Sequence, residues 1–471
     1  MKIFEYFLIN LKKTPNKIFI KSEKISYTYN DINNLFVKFE KINILGKYIT
    51  IISNNSIYFF ILYLISSKYS KVFVPLDSHL SIQSLNENIK KFNLDNIFCF
   101  EKTLKKLKKI GIKKKLINIE KLNEQKKINY KRNKIFLLTF SSGSTSYPKP
   151  IAISEKTKID RAKSNIKIFN LKSNDRIIIS TPLHHTLAIR LMTIGIILGS
   201  EISFLENYKL DKFLRMIKKN KSKFTYFVSN QLEEISKNKN NIKYLSSLKC
   251  IVSSSSKLPL DTKKKLKNLY KKNIYEIYGL SEAAIVSNLN LRKDNNFIDS
   301  VGKSIPGVKI KIKKFKGKEN VGEILIRSKF LCLGYIKKNK LEKLNNQNYF
   351  HTGDLGYLKN KFLFFSGRKK NMIKINGVSI YLEDIENTLM KNKLINDCVA
   401  RPVDFKDKIN PRICLIYQGS KTISSLRNYC FKNLSVMQIP SYYLKVKLIP
   451  RNKMGKLNTK LVNAMIQRKI N

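Results

Sequence analysis

The sequence predicts an α/β fold, with a large N-terminal domain of mixed, largely parallel sheets flanked by helices, a small β subdomain, and a small α+β C-terminal domain. Short apolar, β-branched runs alternate with helix-like stretches through the first three quarters of the chain, a pattern typical of parallel sheets covered by helices. From about Gly302, short strands with glycine turns predominate. After Gly367, a mixed segment of roughly a hundred residues has the size of a separate domain.

Each strand is predicted from a short apolar run, and the first follows a helix-like stretch that begins at Ser56. That first strand is expected to stop at Pro75, because proline lacks the N–H that a strand ladder needs. The last three strands belong to the predicted β subdomain. In chain order, the predicted strands cover residues 72–74, 134–139, 176–180, 224–228, 250–253, 308–312, 322–327 and 362–365.

The chain is strongly basic, with a formal net charge of +59 from 92 Lys and Arg against 33 Asp and Glu in 471 residues. Such a charge favours an anionic partner. However, the excess is mostly lysine, runs the whole length beside abundant Asn and Ile, and accompanies no nucleic-acid recognition motif. Lysine clusters at 105–106, 113–115 and 263–265 are interpreted as solvated helix faces. We therefore expect no specific nucleic-acid partner, and only a weak, salt-sensitive attraction to polyanions.

Cysteine spacing and the N-terminus indicate a cytoplasmic protein. The six cysteines form no CxxC pair, which argues against a zinc site or a disulfide framework. The first residues lack the apolar core and cleavage site of a signal peptide. The apolar run at 57–65 is too short to span a bilayer. No transmembrane segment is therefore expected.

The strongest local motif is TFSSGSTSYPK at residues 139–149, where a predicted strand ends in hydroxyl residues around one glycine. Backbone N–H groups in such a loop can hold phosphate oxygens, and the lysine adds charge. The motif differs from the GxxxxGK[ST] pattern of the usual nucleotide-binding loop. Taken alone, it is also compatible with an exposed Ser/Thr turn.

This loop resembles the phosphate loop of the adenylate-forming superfamily, which comprises acyl-CoA and aryl-CoA synthetases, luciferases and peptide-synthetase adenylation domains. Ser146 stands where the family usually has Gly, and Pro150 replaces the closing Gly, which removes a donor and stiffens the exit. The resemblance implies contacts to ATP from Ser141, Ser142, Gly143, Ser144, Thr145 and Lys149.

Further motifs follow in the family's order, so the resemblance covers nearly the whole chain. The segment at 253–256 matches the strand end that flanks adenine, which implicates Ser255 and Ser256. The pentapeptide at 278–282 resembles YGxTE. There Tyr278 and Gly279 would border adenine, Ser281 would reach the α-phosphate, and Glu282 would hold Mg²⁺, because a carboxylate beside a phosphate is costly without a cation.

The C-terminal motifs complete the implied site. Asp354 of Thr352–Asp354 would accept from both ribose hydroxyls, and Arg368 would also contact the ribose. Lys456, in PRNKMGK at 450–456, would bridge the acid's carboxylate and the α-phosphate. The resemblance also implies domains at residues 1–369 and 370–471, the second a mobile lid with its hinge at Lys370. Lys374 and Gly377 would then border a thiol channel.

The resemblance implies an AMP-forming acid–thiol ligase that uses ATP, Mg²⁺ and coenzyme A. Lys456, Thr145, Ser281 and Glu282 are the expected catalytic residues. His185 would line the acid pocket. Amino-acid-activating relatives have an Asp near this point, which pairs with the substrate's ammonium, so an α-amino acid is disfavoured here. Fatty, aryl and small carboxylic acids remain as candidate substrates. Alternative acceptors or roles are the phosphopantetheine arm of an acidic carrier protein, a non-catalytic nucleotide-binding protein, and a nucleic-acid-binding protein.

Overall fold

The computed structural model describes residues 1–42, 44, 46–109, 111–112, 115–122, 133–140, 150–314, 321–337, 339–344, 348–375, 378–392, 394–403, 411–452 and 455–470. Within these residues the α-helices are α1 (Ile3–Lys13), α2 (Tyr29–Glu40), α3 (Tyr58–Lys68), α4 (Ile82–Lys91), α5 (Glu101–Lys109), α6 (Glu155–Ile168), α7 (Thr186–Leu198), α8 (Leu210–Lys219), α9 (Ser229–Lys237), α10 (Lys239–Lys243), α11 (Leu260–Leu269), α12 (Leu382–Leu389), α13 (Ile423–Asn433) and α14 (Thr459–Ile470).

The strands of the first half of the chain are short. They are β1 (Ile18–Lys21), β2 (Ser26–Thr28), β3 (Tyr48–Ser53), β4 (Val72–Asp77), β5 (Ile97–Cys99), β6 (Leu116–Asn118), β7 (Leu137–Phe140), β8 (Pro150–Ile153), β9 (Ile177–Ile179), β10 (Ile202–Phe204), β11 (Phe227–Val228) and β12 (Cys250–Ser254).

The later strands are mostly longer and antiparallel. They are β13 (Asn273–Leu280), β14 (Ala284–Asn290), β15 (Lys303–Ser304), β16 (Val308–Lys314), β17 (Gly322–Ser328), β18 (Gly334–Lys337), β19 (Lys340–Lys343), β20 (Phe350–Lys359), β21 (Phe362–Arg368), β22 (Met372–Ile375), β23 (Val378–Tyr381), β24 (Ile395–Val403), β25 (Arg412–Gly419) and β26 (Tyr442–Lys445).

Two large mixed sheets carry the N-terminal part, which confirms the predicted α/β class. One has the order β19-β18-β8-β7-β4-β3-β5-β6, and the other β11-β12-β13-β14-β15-β21-β20-β17-β16. Each sheet is parallel in the strands that alternate with helices, and antiparallel where hairpins connect them. A smaller sheet, β2-β1-β10-β9, packs beside them. The strands predicted as a β subdomain form the antiparallel half of the second large sheet.

Two local predictions differ from the structure. Strand β4 continues through Pro75 to Asp77, paired with β3. On its other side, β4 pairs with β7 at Phe73. Pro75 comes after that pairing, so its lack of an N–H does not interrupt it. Lys263 was predicted on a solvated face, and this was wrong. Its side chain is 1% exposed and forms an ion pair with Glu276 on β13, while Lys264 and Lys265 are exposed.

The C-terminal region has its own packing. Its buried side chains form two apolar clusters drawn from residues between Ile373 and Ile466, around the three-stranded sheet β24-β25-β26. The other clusters use residues between Ile3 and Leu363. The domain boundary at 369/370 stays a prediction. In the part of the chain that the structure describes, no helix combines the length and the apolar character needed to cross a membrane.

Candidate active site

The predicted nucleotide residues meet at one edge of the second large sheet. Strands β11, β12 and β13 are parallel, so their carboxyl ends share that edge, where ligands bind in open α/β sheets. The turn from β13 to β14 carries Ser281 and Glu282. A side chain at Gly279 would place its Cβ 2.0 Å from the carbonyl oxygen of Ala284. Glycine at 279 therefore lets the strands approach closely at this turn.

Tyr278, Asp354 and Arg368 form one hydrogen-bonded group. The buried phenol of Tyr278 donates to Oδ2 of Asp354 at 2.8 Å, and Nε of Arg368 lies 3.2 Å from Oδ1. Asp354 and Arg368 are directly paired on β20 and β21. The backbone N–H of Asp354 also donates to Oγ1 of Thr352 at 3.0 Å. Burial, and then the charge of Asp354, raise the pKa of Tyr278 well above its usual value, so the phenol stays a donor.

Glu282 is fixed through both its side chain and its backbone. Its Oε1 accepts from the phenol of Tyr335 at 3.0 Å. The buried guanidinium of Arg161 donates to the carbonyls of Glu282 at 2.6 Å and Ser281 at 3.2 Å. It also donates to the carbonyl of Phe330 from Nε at 2.9 Å and from Nη2 at 2.7 Å. Arg161 therefore anchors the turn that carries the predicted catalytic pair.

His185 caps the N-terminus of α7, next to His184 at a ring-centroid distance of 4.2 Å. Nε2 of His184 lies 3.8 Å from Oδ2 of Asp77 at the end of β4. Burial, and then the neighbouring His184, lower the pKa of His185 to about 3. The His185 ring is therefore neutral at physiological pH and can border an uncharged part of a ligand.

Lys456 sits in a tight loop held by Arg451 and Asn452. The guanidinium of Arg451 donates two hydrogen bonds of 2.8 Å to the carboxylate of Asp397 on β24, and a third, of 3.2 Å, to the carbonyl of Gly455. The backbone N–H of Lys456 donates to Oδ1 of Asn452 at 3.0 Å. Such a bidentate pair fixes geometry as well as charge.

This loop docks on the N-terminal part of the chain. A Cβ built on Gly455 would meet the side chain of Asn230 on α9 at 2.5 Å, so the backbone approaches α9 closely there. The ammonium of Lys456 lies within electrostatic range of Arg368, Glu282 and Asp354. Its pKa is lowered, mainly by burial and then by Arg368. The structure thus brings Lys456 together with the predicted nucleotide site.

Several predicted residues cannot be placed. Ser141, Ser142, Gly143, Ser144, Thr145 and Lys149, with Ser146, lie outside the described residues, as does Gly377. The backbone of Lys370 lies in a 3-10 turn, Lys369–Asn371, and that of Lys374 in β22. Ser255 and Ser256 are exposed just after β12, and Ser255 has a φ of 78°. The backbone thus turns at the adenine-flanking position.

The sequence model described as "AMP-binding enzyme" matches residues 7–336. The chain belongs to the AMP-binding enzyme family. The prediction of an adenylate-forming enzyme is therefore confirmed. Two relatives illustrate its range. The 2-succinylbenzoate–CoA ligase of Oceanobacillus iheyensis is 24% identical over 88% of each chain. A provisionally named long chain fatty acid–CoA ligase, VraA, of Staphylococcus epidermidis is 26% identical over 68% of this chain and 69% of its own.

Solved structures of AMP-binding enzymes share the fold. The o-succinylbenzoate CoA synthetase MenE of Bacillus subtilis, in complex with the acyl-adenylate intermediate OSB-AMP, superposes with a TM-score of 0.85 at 19% identity, over 97% of both chains. ATP-bound MatB of Rhodopseudomonas palustris gives 0.84 at 16% identity over 100% of both chains. At these identities the likeness establishes the fold alone.

Some residues support the predicted nucleotide site from a distance and were not indicated by any motif. Arg161 and Tyr335 carry no local motif, and they reach Glu282 only through the packing of α6 and β18. Asp397 lies far in sequence from the loop at 451–456 that it fixes. An arginine on the apolar face of α6, beside Ile159 and Ala162, was the one available sign of a buried structural cation.

Proposed function

We propose that this enzyme activates a fatty or aryl carboxylic acid with ATP, releases pyrophosphate, and transfers the acyl group from acyl-AMP to the thiol of coenzyme A. The observation that carries the proposal is the position of Lys456. Its loop belongs to the C-terminal region, yet its ammonium interacts electrostatically with Glu282, Asp354 and Arg368. Such an arrangement suits the first, adenylating step.

In that step the acid's carboxylate attacks the α-phosphate, and the site must align two anions and neutralise their charge. Lys456 would stand between them, with hydroxyl donors from Ser281 and from Thr145, which lies outside the described residues. Asp354 and Arg368 would hold the ribose, while Tyr278, Gly279, Ser255 and Ser256 would border adenine. Neutralising cations and donors suffice here, so a general base is not required.

The residues also fit a magnesium ion. Among the described residues, no group of three or more His, Cys, Asp or Glu side chains could hold a metal by itself. Mg²⁺ is commonly bound by one or two carboxylates together with substrate phosphates. Glu282, oriented by Tyr335, supplies one such carboxylate at the nucleotide edge. The ion would neutralise charge on the phosphates of ATP.

For the second step, the C-terminal region would rotate about Lys370 as a lid over residues 370–471. The separate apolar clusters of residues 373–466 support such a rigid movement, and hinge steps of this kind are common in enzymes. Rotation would withdraw Lys456 and bring Lys374 and Gly377 beside the incoming thiol. Nζ of Lys369 lies 3.1 Å from Oε2 of Glu323. The residue that precedes the proposed hinge is therefore held by an ion pair.

The relatives support coenzyme A as acceptor and leave the acid open. One is named for 2-succinylbenzoate and another for long-chain fatty acids, which correspond to two of the three acid classes that His185 leaves possible. A carrier protein remains the second candidate acceptor, because a chain of net charge +59 would attract an acidic carrier. The predicted cytoplasmic location stays a prediction.

The test is thioester formation with purified protein, ATP and Mg²⁺, across fatty, aryl, short-chain and amino acids, with mass-spectrometric detection. Coenzyme A and a phosphopantetheinylated acyl carrier protein are compared as acceptors at equal concentration. We expect acyl-CoA from one acid class, and little product with amino acids. Product on the carrier alone would replace coenzyme A by the second candidate, and no AMP from any acid would contradict ligase activity.

A further inference from the structure

The carboxylate of Glu383 joins the C-terminal region to the end of β21. Its Oε1 accepts a hydrogen bond from the backbone N–H of Arg368 at 3.2 Å, and another from the side-chain amide of Asn371 at 2.6 Å. Arg368 is the last residue of β21, whereas Glu383 lies in the first turn of α12. The bond between Glu383 and Arg368 therefore crosses the predicted domain boundary at 369/370.

Gly367 makes room for this carboxylate. A Cβ built on Gly367 would lie 2.7 Å from Oε2 of Glu383. The φ of Gly367 is 139°, a value that glycine adopts more readily than other residues. Oε2 of Glu383 is buried and accepts no hydrogen bond from the described part of the chain. The carboxylate therefore packs against the backbone of β21 instead of extending into water.

The position of Glu383 on its helix does not by itself explain this contact. Carboxylates in the first turn of a helix are stabilised by the partial positive charge of its N-terminus, and Glu383 and Asp384 both occupy that turn of α12. However, the described hydrogen bonds of the Glu383 side chain run to Arg368 and Asn371, which lie outside α12. The contact with the end of β21 therefore points to a role in holding that strand.

Arg368 is held through both its backbone and its side chain. Its backbone N–H donates to Glu383, and its Nε lies 3.2 Å from Oδ1 of Asp354, the residue expected to accept from the ribose hydroxyls. The side chain of Arg368 is 52% exposed, so burial alone does not fix its direction. Glu383 thus holds the peptide from which a predicted nucleotide residue extends.

Rotation about Lys370 would break the bond between Glu383 and Arg368. Glu383 would move with the C-terminal region, while Arg368 would stay with β21. Asn371 follows Lys370 in the chain, so its contact with Glu383 would survive the movement. A contact that exists in only one conformation couples that conformation to any ligand that benefits from it, and the coupling is reciprocal. Nucleotide affinity and the position of the C-terminal region would therefore depend on each other.

We propose that Glu383 is a positioning residue that couples ATP binding to the position of the C-terminal region. Its carboxylate holds the peptide of Arg368, and Arg368 in turn orients Asp354 for the ribose. When the C-terminal region rotates for the thiol step, this bond breaks and the nucleotide is held less tightly, which favours release of AMP. This role rests on the proposed acid activation and on the proposed movement about Lys370.

Variants of Glu383 separate the hydrogen bond from the charge. Glu383→Ala removes the acceptor, Glu383→Asp keeps the charge but is one methylene too short, and Glu383→Gln keeps an acceptor oxygen at the same reach without the charge. We expect the Kd for α,β-methylene-ATP with Mg²⁺, measured by calorimetry, to rise at least about fivefold in the Ala and Asp variants. Glu383→Gln should restore most of the affinity.

Asn387→Ala, at an exposed position of the same helix, is the matched control and should bind the nucleotide as wild type does. An unchanged Kd in Glu383→Ala would overturn the proposed coupling. A Glu383→Gln variant that binds as weakly as Glu383→Ala would also overturn it, because the effect would then come from the charge and not from the hydrogen bond to Arg368.

Hydrogen exchange of the Arg368 amide tests the coupling in the wild-type protein, even where a variant does not fold. Binding of α,β-methylene-ATP should slow this exchange at least about fivefold, and Glu383→Ala should lose the effect. No slowing in wild type would overturn the coupling. Both measurements proceed without a reacting acid. A wild type that binds the analogue and protects this amide, but exchanges no pyrophosphate with any acid, would contradict the proposed function alone.

Discussion

Tyr278 and Asp354 are joined by a buried hydrogen bond of 2.8 Å, although their strands, β13 and β20, are separated by β14, β15 and β21 in the sheet order. The sheet must therefore curve strongly to bring them together. This curvature places the predicted adenine residue against the predicted ribose residue, so that one carboxylate is oriented from two sides, by Tyr278 and by Arg368.

Tyr278→Phe removes one donor from this buried carboxylate. Loss of one partner from a buried acceptor costs about 1–3 kcal/mol, which corresponds to a roughly 5- to 150-fold weaker affinity. We expect the KM for ATP to rise within that range in pyrophosphate exchange, with a smaller change in the KM for the acid. Tyr357→Phe, whose ring stacks on Phe364, is the control. An unchanged KM for ATP in Tyr278→Phe would mean that the bond does not orient Asp354 for the nucleotide.

Arg451→Ala should slow adenylation and spare thioester formation. Without Arg451, the loop loses its bidentate contact to Asp397 and its contact to Gly455, and Lys456 is no longer held in position. Misplacement by about 1 Å can cost roughly 100-fold in rate. Pyrophosphate exchange should fall about 10- to 100-fold, while transfer from preformed acyl-AMP to coenzyme A changes little.

Asp397→Asn should show the same pattern more weakly, since the amide keeps one acceptor for Arg451. Arg468→Ala, at an exposed position of α14, is the matched control. Equal loss of both half-reactions in Arg451→Ala would indicate a general folding defect rather than a role in positioning Lys456.

The buried ion pair of Lys263 and Glu276 should contribute to the stability of the fold, at a place remote from the candidate active site. Both side chains are 1% exposed, and Lys263 also donates to the carbonyl of Ile298 at 2.6 Å. Lys263→Met leaves the Glu276 charge buried and uncompensated, so we expect a loss of about 3–5 kcal/mol in unfolding free energy. The urea midpoint should fall accordingly. Lys264→Met should change the unfolding free energy by less than about 0.5 kcal/mol.

The double variant Lys263→Met/Glu276→Gln should recover part of that loss. The uncharged amide can still accept from the backbone N–H of Leu258, which lies 2.7 Å from Oε1 of Glu276. No recovery would indicate that the lysine acts mainly through its contacts to backbone carbonyls.

The pH dependence of adenylation should report Lys456. Burial, and then Arg368, lower the pKa of its ammonium from the usual 10.5. In the proposed mechanism the protonated form carries the charge that adenylation uses, so activity is retained below this pKa and lost as pH rises through it. We expect exchange to decline at a lower pH than an ordinary lysine would give. In the proposed mechanism, transfer from preformed acyl-AMP does not use Lys456, so it should lack this decline.

The sequence predicted the class of fold well, because it depends on local patterns, while the roles of the motif residues stay predictions. Alternating apolar strands and helices indicated the sheets, and Tyr278, Asp354 and Arg368 were found by motif. Contacts between side chains that are far apart in the sequence were not predictable. Lys263 looked like its exposed neighbours, since nothing in the local sequence shows that α11 places it beside Glu276 of β13. Likewise, no pattern connects Asp397 with Arg451, or Arg161 with the carbonyl of Glu282.

The most direct test of the account is exchange of labelled pyrophosphate into ATP, dependent on added acid, with wild type and Lys456→Ala compared. Both are assayed at equal concentration after circular dichroism shows that they are folded. The account predicts exchange with one class of carboxylic acid in wild type, and a loss of at least about 100-fold in the variant. Exchange that persists undiminished in Lys456→Ala, or a folded wild type that binds ATP but exchanges with no acid, would contradict it.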